Sequence, residues 1–260
     1  MAARPPELEI RTVSFVVPAY NEASRSEGSH LRASLERLIA FAARQPYASE
    51  MLVVDDGSTD RTGDVAREAG RALPDGVSLR VLVHEQNRGK GASVRTGALA
   101  AQGDVVLYLD SDMATAPEEA PKLLDKIAAG ADVAIGSRIQ PGGADMRASQ
   151  PAWRRVAGRY FAMARRRLLL ADVQDTQCGF KAFRRPAAQA IFSRQQLERW
   201  AFDSELLYLA RKLGLSIAQA PVEWRHVGDS RVKLGPLSAL REVLDILRIR
   251  WLHRGVRPAQ

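Results

Sequence analysis

The sequence has one cysteine and no long apolar segment. A single Cys178 in 260 residues excludes a disulfide framework and fits a reducing compartment. No histidine is near Cys178 in the sequence, so we expect a small buried residue rather than a nucleophile. No apolar run approaches the ~18–20 residues that span a bilayer, and residues 1–9 lack the apolar core of a signal peptide. These absences predict that the protein is neither secreted through a signal peptide nor integral to a membrane.

Two common nucleotide-binding motifs are also missing. No strand pattern is followed by Gly-x-Gly-x-x-Gly, which argues against a dinucleotide-dependent dehydrogenase. The run Gly89-Lys90-Gly91-Ala92 lacks the upstream glycine and the Ser or Thr of a phosphate-binding P-loop. Lys90 opens a helical pattern, and a helix N-terminus with a lysine can bind a diphosphate. The alternative for Lys90 is a solvated lysine in the first turn.

The charge is unevenly placed along the chain. The formal net charge is +8, but residues 1–130 carry −4 and residues 131–260 carry +12. An acidic first half suits a metal ion and nucleotide hydroxyls. A basic second half suits a phosphate-bearing acceptor or an anionic membrane surface.

Strand and helix patterns alternate regularly through the first half of the chain. Apolar runs predict strands, and amphipathic periods predict helices between them; the strands are at about 12–18, 50–55, 78–84, 103–110 and 131–136, and the helices at about 29–45, 60–73, 90–102 and 117–129. This alternation predicts an α/β domain with a mostly parallel, twisted sheet flanked by helices. The rhythm breaks at Pro141-Gly142-Gly143, a loop signal.

Two carboxylates, Asp110 and Asp112, follow an apolar strand pattern at residues 105–109. Ligands bind beyond the carboxyl ends of strands in open α/β sheets. With one residue between them, the two side chains point to the same side of an extended backbone and can reach one hard divalent cation. The alternative is that this pair only forms the turn before Pro117.

Two other strand patterns end in polar residues. We expect Pro18, which cannot donate a ladder hydrogen bond, to mark where the first strand leaves the sheet and frees Tyr20 and Glu22 to line a nucleotide pocket. Asp55 directly follows the second strand pattern, where a carboxylate can accept from a ribose hydroxyl or a base N–H. Turn and cap chemistry is the alternative for Asp55 and its neighbours.

Six ordered motifs resemble the family 2 inverting glycosyltransferases: Pro18-Ala19-Tyr20-Asn21-Glu22, Asp55-Asp56-Gly57-Ser58, Asn87-Arg88-Gly89-Lys90-Gly91, Asp110-Ser111-Asp112, Gly136-Ser137-Arg138 and Asp175-Thr176-Gln177-Cys178-Gly179-Phe180-Lys181. The last motif resembles the polyprenyl- or dolichyl-phosphate β-glucosyltransferase branch most. The resemblance implies the GT-A nucleotide-diphospho-sugar transferase fold. It implies one glycosyltransferase domain over residues 11–235, with a nucleotide-binding half (11–138) and an acceptor half (139–235). Residues 1–10 are then a flexible N-terminus, and residues 236–260 a C-terminal amphipathic helix.

The resemblance also implies an activity: transfer of glucose from UDP-glucose to a polyprenyl phosphate, with inversion. Mg²⁺ or Mn²⁺ would be held by Asp110 and Asp112, with His226 as a further ligand. The implied catalytic residues are Asp110, Asp112, Lys90 and Arg138. The implied nucleotide-binding residues are Pro18, Tyr20, Glu22, Asp55, Lys90 and Asp110. Arg138, Lys181, Arg231 and Lys233 are the implied acceptor-phosphate ligands, and Asp203 and Glu205 the implied sugar ligands. Structural roles are the alternatives, as a salt bridge for Arg138, a helix cap for Asp203 and a buried histidine for His226.

Other functions remain open on the same residues. The donor alternatives are GDP-mannose and a UDP-N-acetylhexosamine, and the acceptor alternative is a soluble phosphorylated molecule such as a glycerate phosphate. The non-enzymatic alternative is a basic module that binds nucleic acid or an anionic membrane.

Two stretches show the pattern of basic amphipathic helices. In residues 151–168, aromatic and apolar residues project onto one face and most of six arginines onto the other. Leucines and a tryptophan repeat every three or four residues near the C-terminus, at Leu237, Leu240, Leu244, Leu247 and Trp251. Such helices lie in membrane interfaces. We therefore expect no nucleic-acid partner but peripheral docking at the cytoplasmic face of the membrane, alone or through a separate membrane protein.

Overall fold

The computed structural model describes residues 8–23, 29–140, 169–170, 172–225, 244–245 and 247–258. In this part of the chain seven strands form one sheet, in the order β3-β2-β1-β4-β6-β5-β7. The strands are β1 Thr12–Ala19, β2 Ala48–Asp55, β3 Val77–Val83, β4 Val105–Leu109, β5 Val133–Ser137, β6 Phe180–Arg184 and β7 Ile217–Pro221. Strand β6 is antiparallel to its neighbours β4 and β5, and the other pairs are parallel.

Between residues 29 and 212 the helices are α1 Ser29–Ala42, α2 Thr62–Ala69, α3 Lys90–Ala100, α4 Ala120–Ala128, α5 Arg185–Phe192 and α6 Phe202–Lys212, and a 3-10 turn at Pro117–Glu119 precedes α4. The predicted α/β alternation is therefore confirmed. The helix predicted at residues 60–73 is shorter at both ends, and its C-terminus is closed by the backbone N–H groups of Gly70 and Arg71, which donate to the Arg67 and Glu68 carbonyls.

Two apolar clusters cover the two faces of the sheet. Successive residues of β1 alternate between them, with Phe15 and Val17 in one cluster and Val16 in the other. Leu35 of α1 and Leu123 of α4 join the first cluster, whereas residues of α3, α5 and α6 join the second. The central strand β4 is buried along its whole length and carries no charged residue, because helices cover both faces of the sheet. This three-layer arrangement fixes the strand ends as the rim of the site.

The carboxyl ends of β1, β2 and β4 open at one edge of the sheet. Strand β1 pairs with β4 only as far as Val16, opposite Tyr108, but with β2 as far as Ala19, opposite Asp55. Pro18 lies beyond the last pair with β4 and still inside the ladder with β2, so β1 ends one residue later than the prediction placed its exit. Beyond Val16 and Tyr108, β1 and β4 no longer pair with each other. The polar residues that follow the two strands lie at this opening.

Near the C-terminus, residues 244–245 and 247–252 are helical. Ile249 is fully buried in the second apolar cluster, while Leu244, Leu247 and Trp251 are more than half exposed, at 54%, 51% and 61%. The described part of the predicted C-terminal stripe is therefore one solvent-facing side of a helix. The predicted helix at residues 151–168 lies outside the described residues. No helix in the described ranges combines the length and apolar character needed to span a bilayer.

Candidate functional site

Asp110 and Asp112 lie in a tight turn directly after β4. The turn is closed by the N–H of Met113, which donates to the Asp110 carbonyl at 3.0 Å, and Met113 has a left-handed φ of 50°. Oδ1 of Asp112 accepts from the Ala114 N–H at 3.0 Å. The turn uses one Asp112 oxygen and the backbone only, so the predicted pair serves the turn and still presents carboxylate oxygens to the strand edge.

The electrostatics of this turn favour a cation. Loss of hydration at the crowded strand edge, followed by the negative charge of Asp110, raises the pKa of Asp112; Glu22 adds to the effect, while the Ala114 hydrogen bond and Lys90 oppose it. Lost hydration and the neighbouring negative charge both disfavour the ionised form of Asp112, and a bound cation would offset both effects. The described residues contain no group of three or more acidic, His or Cys side chains arranged as a metal cage. A pair of carboxylates fits Mg²⁺ or Mn²⁺, which binds through one or two carboxylates together with substrate phosphates.

Gly179 forms a cradle for Asp110. A Cβ atom at this position would lie 2.4 Å from Oδ2 of Asp110, which is too close for any side chain unless the carboxylate moved. Oδ1 of Asp110 is buried and has the Lys90 ammonium beside it. The glycine of the Asp175–Lys181 motif therefore allows the Asp110 carboxylate to pack against the loop before β6.

Lys90 begins α3 and points at Asp110, with 2.5 Å between Nζ and Oδ1. Its side chain is only 19% exposed, so it is not a solvated first-turn lysine. Burial lowers the pKa of Lys90, but the charges of Asp110 and Asp203 outweigh this effect and leave the pKa raised. The indole of Trp200 lies 5.6 Å from Nζ and the Phe202 ring 5.8 Å. Lys90 is thus a permanently protonated cation at the predicted diphosphate position.

Asp56 organises the loop that leads into α3, a role that the sequence analysis did not predict. Its carboxylate accepts from the N–H groups of Arg88 and Gly89 at 3.0 and 2.7 Å and from the Asn87 amide at 2.9 Å. Nδ1 of His84 lies 2.7 Å from the same carboxylate. Asp56 and Asn87-Arg88-Gly89 both belong to the six family motifs, and this could have suggested that they contact each other. These bonds fix the start of α3 and with it Lys90.

The loops after β1 and β2 hold each other. The Asn21 N–H donates to Ser58 Oγ at 2.9 Å, and the Glu22 N–H donates to Thr62 Oγ1 at 2.8 Å. Oδ1 of Asp55 accepts from the Ser58 N–H at 3.0 Å, so the turn role is present for Asp55. Tyr20 and Glu22 are half-buried beside this junction. Their nucleotide contacts, and that of Asp55, stay predictions.

Arg138, which follows β5, is held by Asp175. The guanidinium donates from Nε and Nη2 to the two carboxylate oxygens, each at 2.7 Å, and the Arg138 N–H donates to Oδ2 at 3.0 Å. The Trp224 ring centroid is 5.7 Å from the guanidinium carbon. The structure therefore shows the salt-bridge alternative for Arg138, and its phosphate contact stays a prediction.

Lys181 and Asp203 form a buried network with Tyr108 beneath the strand edge. The Lys181 ammonium donates to Tyr108 Oη at 2.9 Å and to the Cys178 carbonyl at 2.6 Å, and it also contacts Asp203. The Tyr108 hydroxyl donates to Asp203 as well. Lys181 is fully buried and Asp203 is 2% exposed. This does not support the predicted roles of Lys181 as a phosphate ligand and Asp203 as a sugar ligand, because their charges already satisfy each other.

Glu205 is also a buried anchor rather than the predicted sugar ligand. Its two oxygens accept from the N–H groups of Gln196 and Leu197 at 2.8 and 2.9 Å, and Nε2 of His253 lies 2.7 Å from Oε1. Glu205 has no exposed surface.

His226, Arg231 and Lys233 lie outside the described residues. Cys178 is buried, as predicted, and burial raises the pKa of its thiol to about 12, which disfavours the thiolate.

Comparison with known proteins gives consistent similarities. The profile of the family described as Glycosyl transferase family 2 matches residues 14–192. The chain is 34% identical to dolichyl-phosphate beta-glucosyltransferase ALG5C of Trichomonas vaginalis, over 91% of this chain and 70% of that protein. It is 35% identical to dolichyl-phosphate beta-glucosyltransferase of Homo sapiens, over 92% and 75%. Among solved structures it resembles glucosyl-3-phosphoglycerate synthase of Mycobacterium tuberculosis in complex with Mn²⁺, UDP and glucosyl-3-phosphoglycerate, with a TM-score of 0.65, 23% identity, and 96% and 82% of the two chains covered. The fold is thus the predicted GT-A fold.

Proposed function

This chain belongs to glycosyl transferase family 2, and on that premise we propose that it transfers glucose from UDP-glucose to a polyprenyl or dolichyl phosphate with inversion at the anomeric carbon. The observation that carries the proposal is the meeting of Asp110, Asp112 and protonated Lys90 at one strand edge. Two carboxylates beside a fixed ammonium suit a metal-bound diphosphate. The curated relatives named dolichyl-phosphate beta-glucosyltransferase support the choice of sugar and acceptor.

Asp110 and Asp112 would hold Mg²⁺ or Mn²⁺; the Mn²⁺ bound with UDP in the mycobacterial neighbour supports a divalent cation. When bound, the metal neutralises the negative charge of the leaving diphosphate. Lys90 holds its proton and places a positive charge beside that leaving group. Gly179 keeps the Asp110 carboxylate in place by leaving room for it.

The reaction needs no strong base in the protein. An oxygen of the acceptor phosphate forms the bond to the anomeric carbon, and the bond from that carbon to the donor diphosphate breaks, with its electron pair leaving on UDP. A phosphate monoester has a second pKa near ~6, so the acceptor is largely dianionic at neutral pH. The burial of Asp203 against Lys181 and Tyr108 agrees with this scheme, since that carboxylate is not available as a base. The protein then contributes alignment and charge neutralisation.

The C-terminal helix supplies a surface for peripheral membrane contact. Leu244, Leu247 and Trp251 are exposed, and Arg254 stacks on the Trp251 ring at 4.9 Å. Arginines and apolar side chains on one helix suit an anionic lipid surface. We expect this face to dock at the cytoplasmic side of the membrane, with a separate membrane protein as the alternative partner.

Vesicle flotation tests the surface. Leu247→Ser combined with Trp251→Ser should reduce binding to vesicles containing phosphatidylglycerol, and added salt should weaken the wild type because arginines contribute. Val83→Ser is the matched control, since Val83 is 53% exposed on an edge strand. Equal vesicle binding by the double variant would exclude this face.

A radiolabel assay tests the reaction. UDP-[¹⁴C]glucose is offered with detergent-solubilised polyprenyl phosphate or with 3-phosphoglycerate, and the products are partitioned between organic and aqueous phases. Label in the organic phase supports the proposal, whereas label only in an aqueous glucosylated product rejects the lipid acceptor. Parallel reactions with GDP-mannose and UDP-N-acetylglucosamine test the donor. Absence of transfer from all three would favour a binding module.

A further inference from the structure

The segment of residues 195–200, between α5 and α6, lies across the start of α3. The Ala92 N–H donates to the Glu198 carbonyl at 3.2 Å, and the Gln195 side-chain amide donates to the Gly91 carbonyl at 2.9 Å. Arg88 forms an ion pair with Glu198 at 2.6 Å. The segment and the N-terminal turn of α3 therefore form one hydrogen-bonded unit.

Two glycines allow the close approach of this unit. A Cβ on Gly89 would lie 2.5 Å from the Glu198 carbonyl oxygen, and one on Gly91 would lie 2.8 Å from the Leu197 carbonyl oxygen. Lys90 stands between these glycines. Because backbone contacts surround Lys90 on both sides, a shift of the 195–200 segment would move the ammonium relative to Asp110.

Glu205 and His253 form a second set of contacts that holds the 195–200 segment. Glu205, in the first turn of α6, accepts from the N–H groups of Gln196 and Leu197, and the His253 ring donates to it through Nε2. Both side chains are buried, at 0% and 1% exposure. A buried carboxylate is costly unless its oxygens accept hydrogen bonds. We therefore expect the hydrogen bonds from Gln196, Leu197 and His253 to Glu205 to form and break together.

His253 follows the C-terminal helix that exposes Leu247 and Trp251 on its opposite side. A continuous chain of contacts thus runs from this helix through Glu205 and the 195–200 segment to Lys90. We propose that Glu205 and His253 are positioning residues: their contact, rather than the apolar packing of the C-terminal helix, fixes the 195–200 segment and with it the placement of Lys90 in the donor site. This rests on the proposed function, because it assigns Lys90 to the donor diphosphate.

The test compares three variants of the full chain. His253→Leu removes the donor to Glu205, and His253→Gln keeps an N–H donor near the Nε2 position. Ile249→Ala, or Ile249→Val where that matches the loss in Tm better, destabilises the same helix by removing a buried side chain and leaves the Glu205–His253 bond in place. The probe is UDP with Mn²⁺, titrated by calorimetry, with GDP and Mn²⁺ in parallel.

We expect His253→Leu to raise the Kd of UDP by about tenfold, because small displacements of a positioning group have large effects on its ligand. His253→Gln should keep the Kd within about twofold, and the Ile249 variant should do the same in spite of its lower Tm. If the Ile249 variant weakens UDP as much as His253→Leu at equal Tm, or if His253→Leu leaves the Kd unchanged, the proposal is overturned.

Amide hydrogen exchange gives a readout that needs no nucleotide. His253→Leu should speed exchange at Gln196 and Leu197 and also at Ala92, whereas the Ile249 variant should leave Ala92 protected. Unchanged exchange at Ala92 in His253→Leu would refute the coupling even if the wild type bound neither nucleotide. Failure of the wild type to bind UDP, with normal coupling in the exchange data, would reject only the proposed donor.

Discussion

The ammonium nitrogen of Lys90 lies 2.5 Å from Oδ1 of Asp110, so a lysine already compensates one of the two carboxylates assigned to a metal. Asp112 has less compensation, since its pKa is raised by lost hydration and by the Asp110 charge. Lys90 and a divalent cation would share Asp110, whereas Asp112 is left for the cation. We therefore expect the two acidic residues of this motif to have different roles.

Asp112→Asn should abolish metal-supported transfer while leaving the fold intact. The substitution removes a charge that repels Asp110 but keeps an oxygen for the Ala114 N–H. We expect kcat/KM to fall by about 100-fold or more, since a metal clamp supplies several kcal/mol of transition-state stabilisation. Steady-state assays and thermal melts check this, and full activity in the variant would remove Asp112 from the metal site.

Mn²⁺ affinity should fall with decreasing pH, starting at a higher pH than for an ordinary aspartate. Protons compete with the metal for Asp112, and its raised pKa moves that competition upward. In the metal-free protein, the stability associated with protonated Asp112 is present below its unfolded pKa and is lost as pH rises through the raised folded pKa. Titrations of Mn²⁺ at several pH values measure this; an affinity that stays constant until the pH reaches the range of an ordinary aspartate would contradict it.

Gly179→Ala should weaken the metal site without unfolding the protein. The new Cβ would approach within 2.4 Å of Oδ2 of Asp110, and a side-chain carboxylate can shift to relieve that contact. We expect Mn²⁺ affinity to drop about tenfold or more, with a small change in Tm. Gly255→Ala is the control, because no atom lies within 4 Å of its added Cβ. Wild-type affinity in Gly179→Ala would show that Asp110 need not occupy its present position.

Lys181→Met should act on stability rather than on acceptor affinity. The substitution leaves Asp203 buried without its counter-ion, which costs about 3–5 kcal/mol in the free energy of unfolding. Adding Asp203→Leu should recover part of this loss, so that the double variant is less destabilised than the sum of the two single changes. Urea unfolding measures these values.

The matched surface control is Lys122→Met, which removes a lysine that is 47% exposed from its pair with Glu119 and should cost about 0–1 kcal/mol. A selective rise in the acceptor KM for Lys181→Met, with stability unchanged, would restore the phosphate-contact hypothesis.

Asp56→Asn should destabilise the loop before α3. Asparagine offers one acceptor oxygen where the carboxylate accepts from two backbone N–H groups, the Asn87 amide and His84, so we expect a loss of about 2–4 kcal/mol. UDP affinity should fall too, because this loop carries Lys90. Asp64→Asn, at an exposed ion pair, is the control for urea unfolding and nucleotide titration. Equal stability of both variants would refute the organising role of Asp56.

The first half of the fold follows from local patterns. Strands β1 to β5 and helices α1 to α4 each match a predicted element. Because helices cover both faces of the sheet, its buried strands are apolar runs with polar residues at their ends, and such runs are visible in the sequence. Strands β6 and β7 were not predicted. Strand β6 includes Lys181, a charged residue that is buried through contacts with Tyr108 and Asp203, so its apolar pattern is interrupted by a residue that only tertiary pairing can neutralise.

The candidate site divides in the same way. Asp110, Asp112 and Lys90 could be placed from sequence because each lies at the end or start of a local element. Arg138 and Glu205 are charged, as ligand-binding residues often are. No feature of the neighbouring sequence shows that they are instead held by charged partners within the protein. Their partners, Asp175 and His253, are 37 and 48 positions away.

The sequence by itself determined the α/β alternation, the family motifs and the acidic pair after β4, because these depend on periodicity and on neighbours along the chain. Only the tertiary structure decided which charged residues face the strand edge and which form buried pairs with other residues. The physical reason is desolvation: a buried charge persists only beside a counter-charge or several hydrogen-bond donors, and packing between distant segments selects those partners.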